Sequence, residues 1–143
     1  MGLIGSWREA LRSFTTKEKV IAMVNFDMVG YKGRGKDMYI STDYSNQDLA
    51  QFMRLLLNHY HPNITHDFNK CGYPCSDHAS YYAYGFPSVE VNEADGADKK
   101  KTFNSNVHTS EDIYADGQVM SNYAKLAVTF LAEVAKGHIS EDH

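Results

Sequence analysis

The chain has 143 residues, 43% hydrophobic and 22% charged, enough for one packed domain and too few for two ordinary ones. Fourteen Lys+Arg against eighteen Asp+Glu give a formal charge of −4 with no basic stripe, which argues against a protein that grips a nucleic-acid backbone. No apolar stretch approaches the roughly 18–20 residues of a bilayer-crossing helix, and two cysteines are too few for a disulfide-stapled miniprotein or a four-cysteine zinc site.

Met1 to Ser6 shows no charged-then-apolar leader and matches the M-G-x-x-x-[ST] acylation pattern only loosely. Trp7 to Phe14 reads as a short helix. Val20 to Phe26 is a mainly apolar run closed by an acid, Asp27. That is the pattern of a buried strand, and open α/β sheets hold ligands at such carboxyl ends. Gly30 to Gly35 is a loop, and Met38 to Ser41 a short strand. Ser45 and Asp48 form a capping box for a helix whose apolar residues Leu49, Phe52, Met53, Leu56 and Tyr60 recur at helical spacing; Pro62 ends it. Ile64 to Phe68 is a short strand. Ser76 and Asp77 cap a short helix through Tyr84, and Gly85-Phe86-Pro87 turns the chain into a strand from Ser88 to Asn92. Glu93 to Thr102 is a polar loop, Thr109 and Asp112 repeat the capping-box pattern, and a last helix runs from about Gln118 to Lys136. Strands alternating with helices make the class α/β.

Several residues carry chemistry. Asp27 reads either as a turn residue or as a metal ligand or acid held on a rigid strand. His108 reads as a capping residue or as a ligand whose second ring nitrogen is oriented by a partner. Tyr73 stands at the tip of a turn flanked by Cys71 and Cys75, where a fixed phenol can donate to a substrate or an oxyanion. The cysteines are either two free thiols or a local bridge clamping Gly72-Tyr73-Pro74. Asp77-His78 reads as an N-cap and a first-turn residue. His59, His61 and His66 read as solvated histidines, and Asn63-Ile64-Thr65 is a glycosylation sequon.

Taken in order, GLIGS at 2–6, VNFDMVGY at 24–31, CGYPCSDHAS at 71–80, GFP at 85–87 and VHTSED at 107–112 form a succession. It resembles the co-catalytic two-zinc aminopeptidases of the bacterial secreted leucyl aminopeptidase type. The resemblance implies part of an α/β/α sandwich with a mixed central sheet. It also implies hydrolysis of the amino-terminal peptide bond by a water shared between two zincs. By the same resemblance Asp27 and His108 are terminal ligands of different zincs, Tyr73 stabilises the tetrahedral intermediate, and Cys71 and Cys75 form a disulfide. Met28, Ile40, Cys71, Cys75, Phe103 and Val107 line the pocket for the first side chain. Glu90 and Asn92 fall where the family often has apolar pocket residues; a partly buried Glu90 there would favour a cationic residue in place of leucine.

In the family, Gly-Leu-x-Gly-Ser follows a Glu-Glu pair that carries the general base and one ligand; here Met1 precedes Gly2, and no acid precedes Glu9. The resemblance therefore implies that residues 1–143 are a single domain, the carboxy-terminal portion of a zinc aminopeptidase catalytic domain. Such a portion lacks the amino-terminal strands, the base and three ligands. Three readings follow: a segment active only with its amino-terminal half, an inactive remnant that binds peptides, or an enzyme completed by another copy. The expected partner is a peptide with a free amino terminus, with no nucleic acid and no membrane. The family suggests an extracellular or periplasmic place.

Overall fold

The structure, a computed structural model, describes residues 2–95 and 104–136. In chain order the elements are α1 (Ile4–Thr15), β1 (Met23–Asp27), β2 (Met38–Ser41), α2 (Gln47–Tyr60), β3 (His66–Asn69), α3 (His78–Ala83), β4 (Ser88–Asn92) and α4 (Gly117–Lys136). The four strands form one mixed sheet in the order β1-β4-β2-β3. β1 runs parallel to β4, β4 antiparallel to β2, and β2 parallel to β3.

Side chains alternate across a strand, so each strand divides its residues between two faces. Met38 and Ile40 of β2 and Val89 and Val91 of β4 turn to one face. There they are buried with Leu49, Met53 and Leu57 of α2 and Val119, Tyr123, Leu126 and Phe130 of α4. The other face is polar. Ser88 Oγ donates to the carbonyl of His78 at 2.8 Å, which seats α3 on it, and α1 packs outside α3 through Ser6–Ser80 and Trp7–Tyr84 contacts. Two helices on each side give the expected α/β/α layering. The polar layer is the unusual one, because a parallel strand buried on both faces is ordinarily apolar throughout.

Three expectations about local structure are corrected. The cap of α2 is Asn46, not Ser45: its extended backbone (φ −72°, ψ 123°) lets Oδ1 accept from the Leu49 amide at 2.8 Å, while Ser45 Oγ donates to the Asp43 carbonyl. Thr109 and Asp112 start no helix. Thr109 Oγ1 donates to Asn106 O at 2.6 Å, and Asp112 accepts from Asn104 at 2.6 Å. Short polar side chains serve turns as well as caps. The cap of α4 is Asp116, which accepts from the Gln118 and Val119 amides. Finally, β1 is not a buried strand. It lies at the edge of the described sheet and all five residues are half-buried.

Replacing Asn46 with alanine should lower stability by about 1 kcal/mol in urea denaturation. An unchanged midpoint would return the cap to Ser45.

Candidate functional site

The polar face of the sheet converges on the carboxyl end of β1. Asp27 ends that strand, and its Oδ2 accepts from Ser76 Oγ at 2.6 Å, which in turn accepts from Asn25 Nδ2 at 2.6 Å. This relay holds the carboxylate against the loop before α3. Met28 follows with φ 56°, a left-handed turn that swings its side chain into a cavity. The Met28 carbonyl accepts from the Glu93 amide at 3.1 Å, and the Glu93 carboxylate accepts from the Tyr31 amide at 2.6 Å, so the ends of β1 and β4 are tied together.

The loop from Cys71 to Cys75 is closed by a disulfide with Cα atoms 6.2 Å apart, which resolves the two readings of the cysteines. Gly72 sits at φ 83°, where a side chain would be strained. Asp43 clamps the loop from below, accepting from the Cys71 amide at 3.0 Å and the Gly72 amide at 2.7 Å. Tyr73, at the tip, is 54% exposed. His108 (φ 65°) is presented by a turn that Asn104 organises, accepting from the Asn106 amide and donating to Asp112.

These segments enclose a cavity of about 110 Å³ and, beside it, an open groove of about 740 Å³. Asp27, Tyr73 and His108, from three separate segments, line both. Met28, Cys71, Cys75, Glu90 and Val107 line the cavity, together with Asn69 and Asn92. Ile40 does not. It is fully buried in the core on the opposite face, because in β2 it is Ser41, one residue on, that turns toward the polar layer. Phe103 lies outside the described residues.

The floor of the cavity is an acid. Glu90 is 3% exposed, and burial pushes its carboxyl above the usual range, opposed chiefly by Ser41, whose Oγ lies 2.7 Å away. The sulfurs of Cys75 and Cys71 lie 3.4 and 3.8 Å from Glu90 Oε2. His78, expected as a first-turn residue, is wholly buried with Nδ1 3.9 Å from the same oxygen. Neither ring nitrogen has a hydrogen-bond partner, and burial holds the ring below the usual histidine range, hence neutral.

Glu93 is pushed up to about 7, by burial first, against the amides that favour its charged form. A carboxyl raised in the folded state contributes fully below its unfolded pKa near 4.5 and loses that contribution as pH rises toward 7. The loss is roughly 3 kcal/mol. Glu93→Gln should therefore gain stability relative to the parent as pH rises from 5 to 7.5 in thermal melts. A constant difference would remove Glu93 as the titrating group.

Among the described residues the one set of three donor atoms within 4.8 Å is Cys71, Cys75 and Glu90, and its sulfurs are bonded to each other and so are no ligands. Asp27 and His108 are an oxygen and a nitrogen donor of the kinds zinc takes, facing one cavity. Their chemistry fits zinc, but two donors fall short of the roughly three that a catalytic zinc needs.

Two residues that shape the site escaped the sequence reading, Asp43 and Ser41, and Ser76, expected with Asp77 as a helix cap, donates to Asp27 while α3 has no side-chain cap. Strict alternation along 38–41 would have placed Ser41 opposite the core-facing Met38 and Ile40. Nothing in the sequence signals the long reach of Asp43 to the disulfide loop.

The model of peptidase family M28 matches residues 1–131. The chain is 35% identical over 136 residues to a probable leucine aminopeptidase of Arthroderma benhamiae, covering 93% of this chain and 36% of that protein. The crystal structure of the Legionella pneumophila LapA aminopeptidase superposes with a TM-score of 0.84 at 36% identity, over 94% of this chain and 36% of that one. A zinc aminopeptidase from Bacillus subtilis shares the fold, with a TM-score of 0.72 at 19% identity over 93% of this chain and 33% of its own. The chain thus spans 36–37% of the length of the curated relatives it matches.

Proposed function

The chain belongs to peptidase family M28, and from that premise we propose that it works as part of an aminopeptidase, forming one wall of a site that hydrolyses the amino-terminal peptide bond. The observation that carries this reading is the shared rim: Asp27, Tyr73 and His108 meet around one cavity and the groove beside it. Asp27 and His108 would each hold one zinc. When bound, the metals supply a water of lowered pKa and polarise the scissile carbonyl. The remaining work belongs to this chain's own groups. The Ser76 hydroxyl fixes the Asp27 carboxylate, the Tyr73 phenol donates to the developing oxyanion, and the cavity takes the side chain of the first residue while the peptide leaves along the groove.

The other ligands and the base are then contributed from outside the described residues, by further polypeptide or by a second copy. The half-buried edge strand β1 and the exposed stripe Ile4, Trp7, Leu11 and Phe14 of α1 support such a partner. The disulfide supports an oxidising, extracellular or periplasmic setting. The two-donor count favours a second reading, a catalytically silent module that binds peptide ends in the same cavity. Hydrolysis of a panel of aminoacyl 7-amido-4-methylcoumarins by the native protein with zinc added tests the first reading. Release of fluorophore from substrates with free but not acetylated amino groups supports it, and no hydrolysis of any member leaves the binding module.

A further inference from the structure

The sheet's polar face has a purpose that the hydrolytic reading does not require. In β4, Val89 and Val91 enter the core while Ser88, Glu90 and Asn92 turn the other way, and all five residues are buried. A carboxyl group in that position costs free energy unless something pairs with it. Among the described residues no lysine or arginine does. The nearest basic group is His78, whose burial keeps it neutral, and the acids Asp27 and Asp43 both act against a charge on Glu90. Among the described residues, then, Glu90 is an acid without a charged partner, lining the cavity beside the groove.

The described groups around it are neutral and hold it in place. Ser41 Oγ lies 2.7 Å from Glu90 Oε2 and 3.1 Å from Asn69 Oδ1, and its single hydrogen serves one of them at a time. Asn69 donates to the Ala94 carbonyl at 2.8 Å, and Asn92 accepts from the Ala94 amide at 3.0 Å, so both amides are locked beside the acid. Met28, Ala94 and Val107 add apolar wall, and the disulfide sulfurs lie against the acid itself. The cavity thus combines apolar wall with a buried carboxyl group and the amides of Asn69 and Asn92. At about 110 Å³ it has room for about one side chain. Long cationic side chains match this combination, with an aliphatic stem ending in a charged head.

We propose that Glu90, backed by Ser41 and flanked by Asn69 and Asn92, makes this cavity a receptor for a cationic side chain, so that the preferred peptides begin with lysine or arginine. The proposal rests on the aminopeptidase reading for its biological meaning, but the cavity's preference is measurable without turnover.

Binding of L-lysinamide, L-argininamide and L-leucinamide to the chain is followed by calorimetry and by amide chemical shifts at Ser41, Asn69 and Asn92. The two amides with cationic side chains should bind at least about tenfold more tightly than leucinamide, as a charge-assisted contact predicts. Glu90→Gln, nearly isosteric, should abolish that preference, and Glu90→Met should reverse it, with circular dichroism confirming that both fold. Equal or tighter binding of leucinamide to the parent overturns the proposal, as does binding of none of the three, or a preference that survives in Glu90→Gln. The coumarin panel separates the two claims. Hydrolysis with leucine favoured over lysine and arginine sinks the cationic pocket and leaves the peptidase. Cationic binding without any hydrolysis sinks the peptidase and leaves the pocket.

Discussion

Asp27→Ala is expected to lower zinc affinity in metal-buffered titrations and to reduce kcat/KM by at least about 100-fold, since loss of a group that merely orients a ligand already costs 10–100-fold. The carboxylate stands at the end of β1 with Oδ2 committed to Ser76, an arrangement that fixes its plane before any ligand arrives. His108→Ala should act similarly, through a turn that is separate in the chain from β1. The two substitutions separate ligand loss from misfolding because they disturb different elements: a shared loss of zinc with intact melting curves identifies the pair as ligands. Ser76→Ala tests the same assignment from one step away. It leaves the donor atoms in place and removes the bond that orients one of them, so a 10–100-fold weakening is expected. Unchanged zinc affinity in both alanine variants of the ligands would refute the assignment.

What was legible in the chain depended on whether a local pattern had a single physical outcome. The strands Met38–Ser41 and Ser88–Asn92 stand in the structure at the expected residues, because short apolar runs bracketed by turn residues have few other folds available. The last helix stands where expected, and Val119, Tyr123, Leu126 and Phe130, at helical spacing along it, are buried in the core. Caps were harder to read, since Ser45 and Asn46 can both accept from a first-turn amide and only backbone geometry decides between them. Parity of a four-residue strand was harder still: a one-residue difference separates Ile40 in the core from Ser41 against Glu90. The fate of His78 was illegible, because its burial follows from α3 lying on β4, a tertiary contact that no local spacing encodes. The cavity itself was legible only through the resemblance, since its wall draws on segments far apart in the chain.

Tyr73→Phe should lower kcat by about 10²–10³ while leaving KM within a few-fold and zinc content unchanged, the signature of a donor that acts only as negative charge develops. The phenol is well placed for this, on a loop that cannot drift: the disulfide closes it, Gly72 supplies the left-handed turn, and Asp43 takes the two amides at its base. Phenylalanine keeps the ring and therefore the wall it forms with Met28 and His108. Half of the tyrosine faces solvent, which screens the donated bond and places the expected loss toward the lower end of the range. The role also predicts a companion effect. Asp43→Ala frees the Cys71 and Gly72 amides without touching a ligand or the phenol, so it should reproduce part of the kcat loss through misplacement alone. Equal turnover for the parent and Tyr73→Phe would rule out the oxyanion role, and the loop clamp would then be read as support for the cavity wall alone.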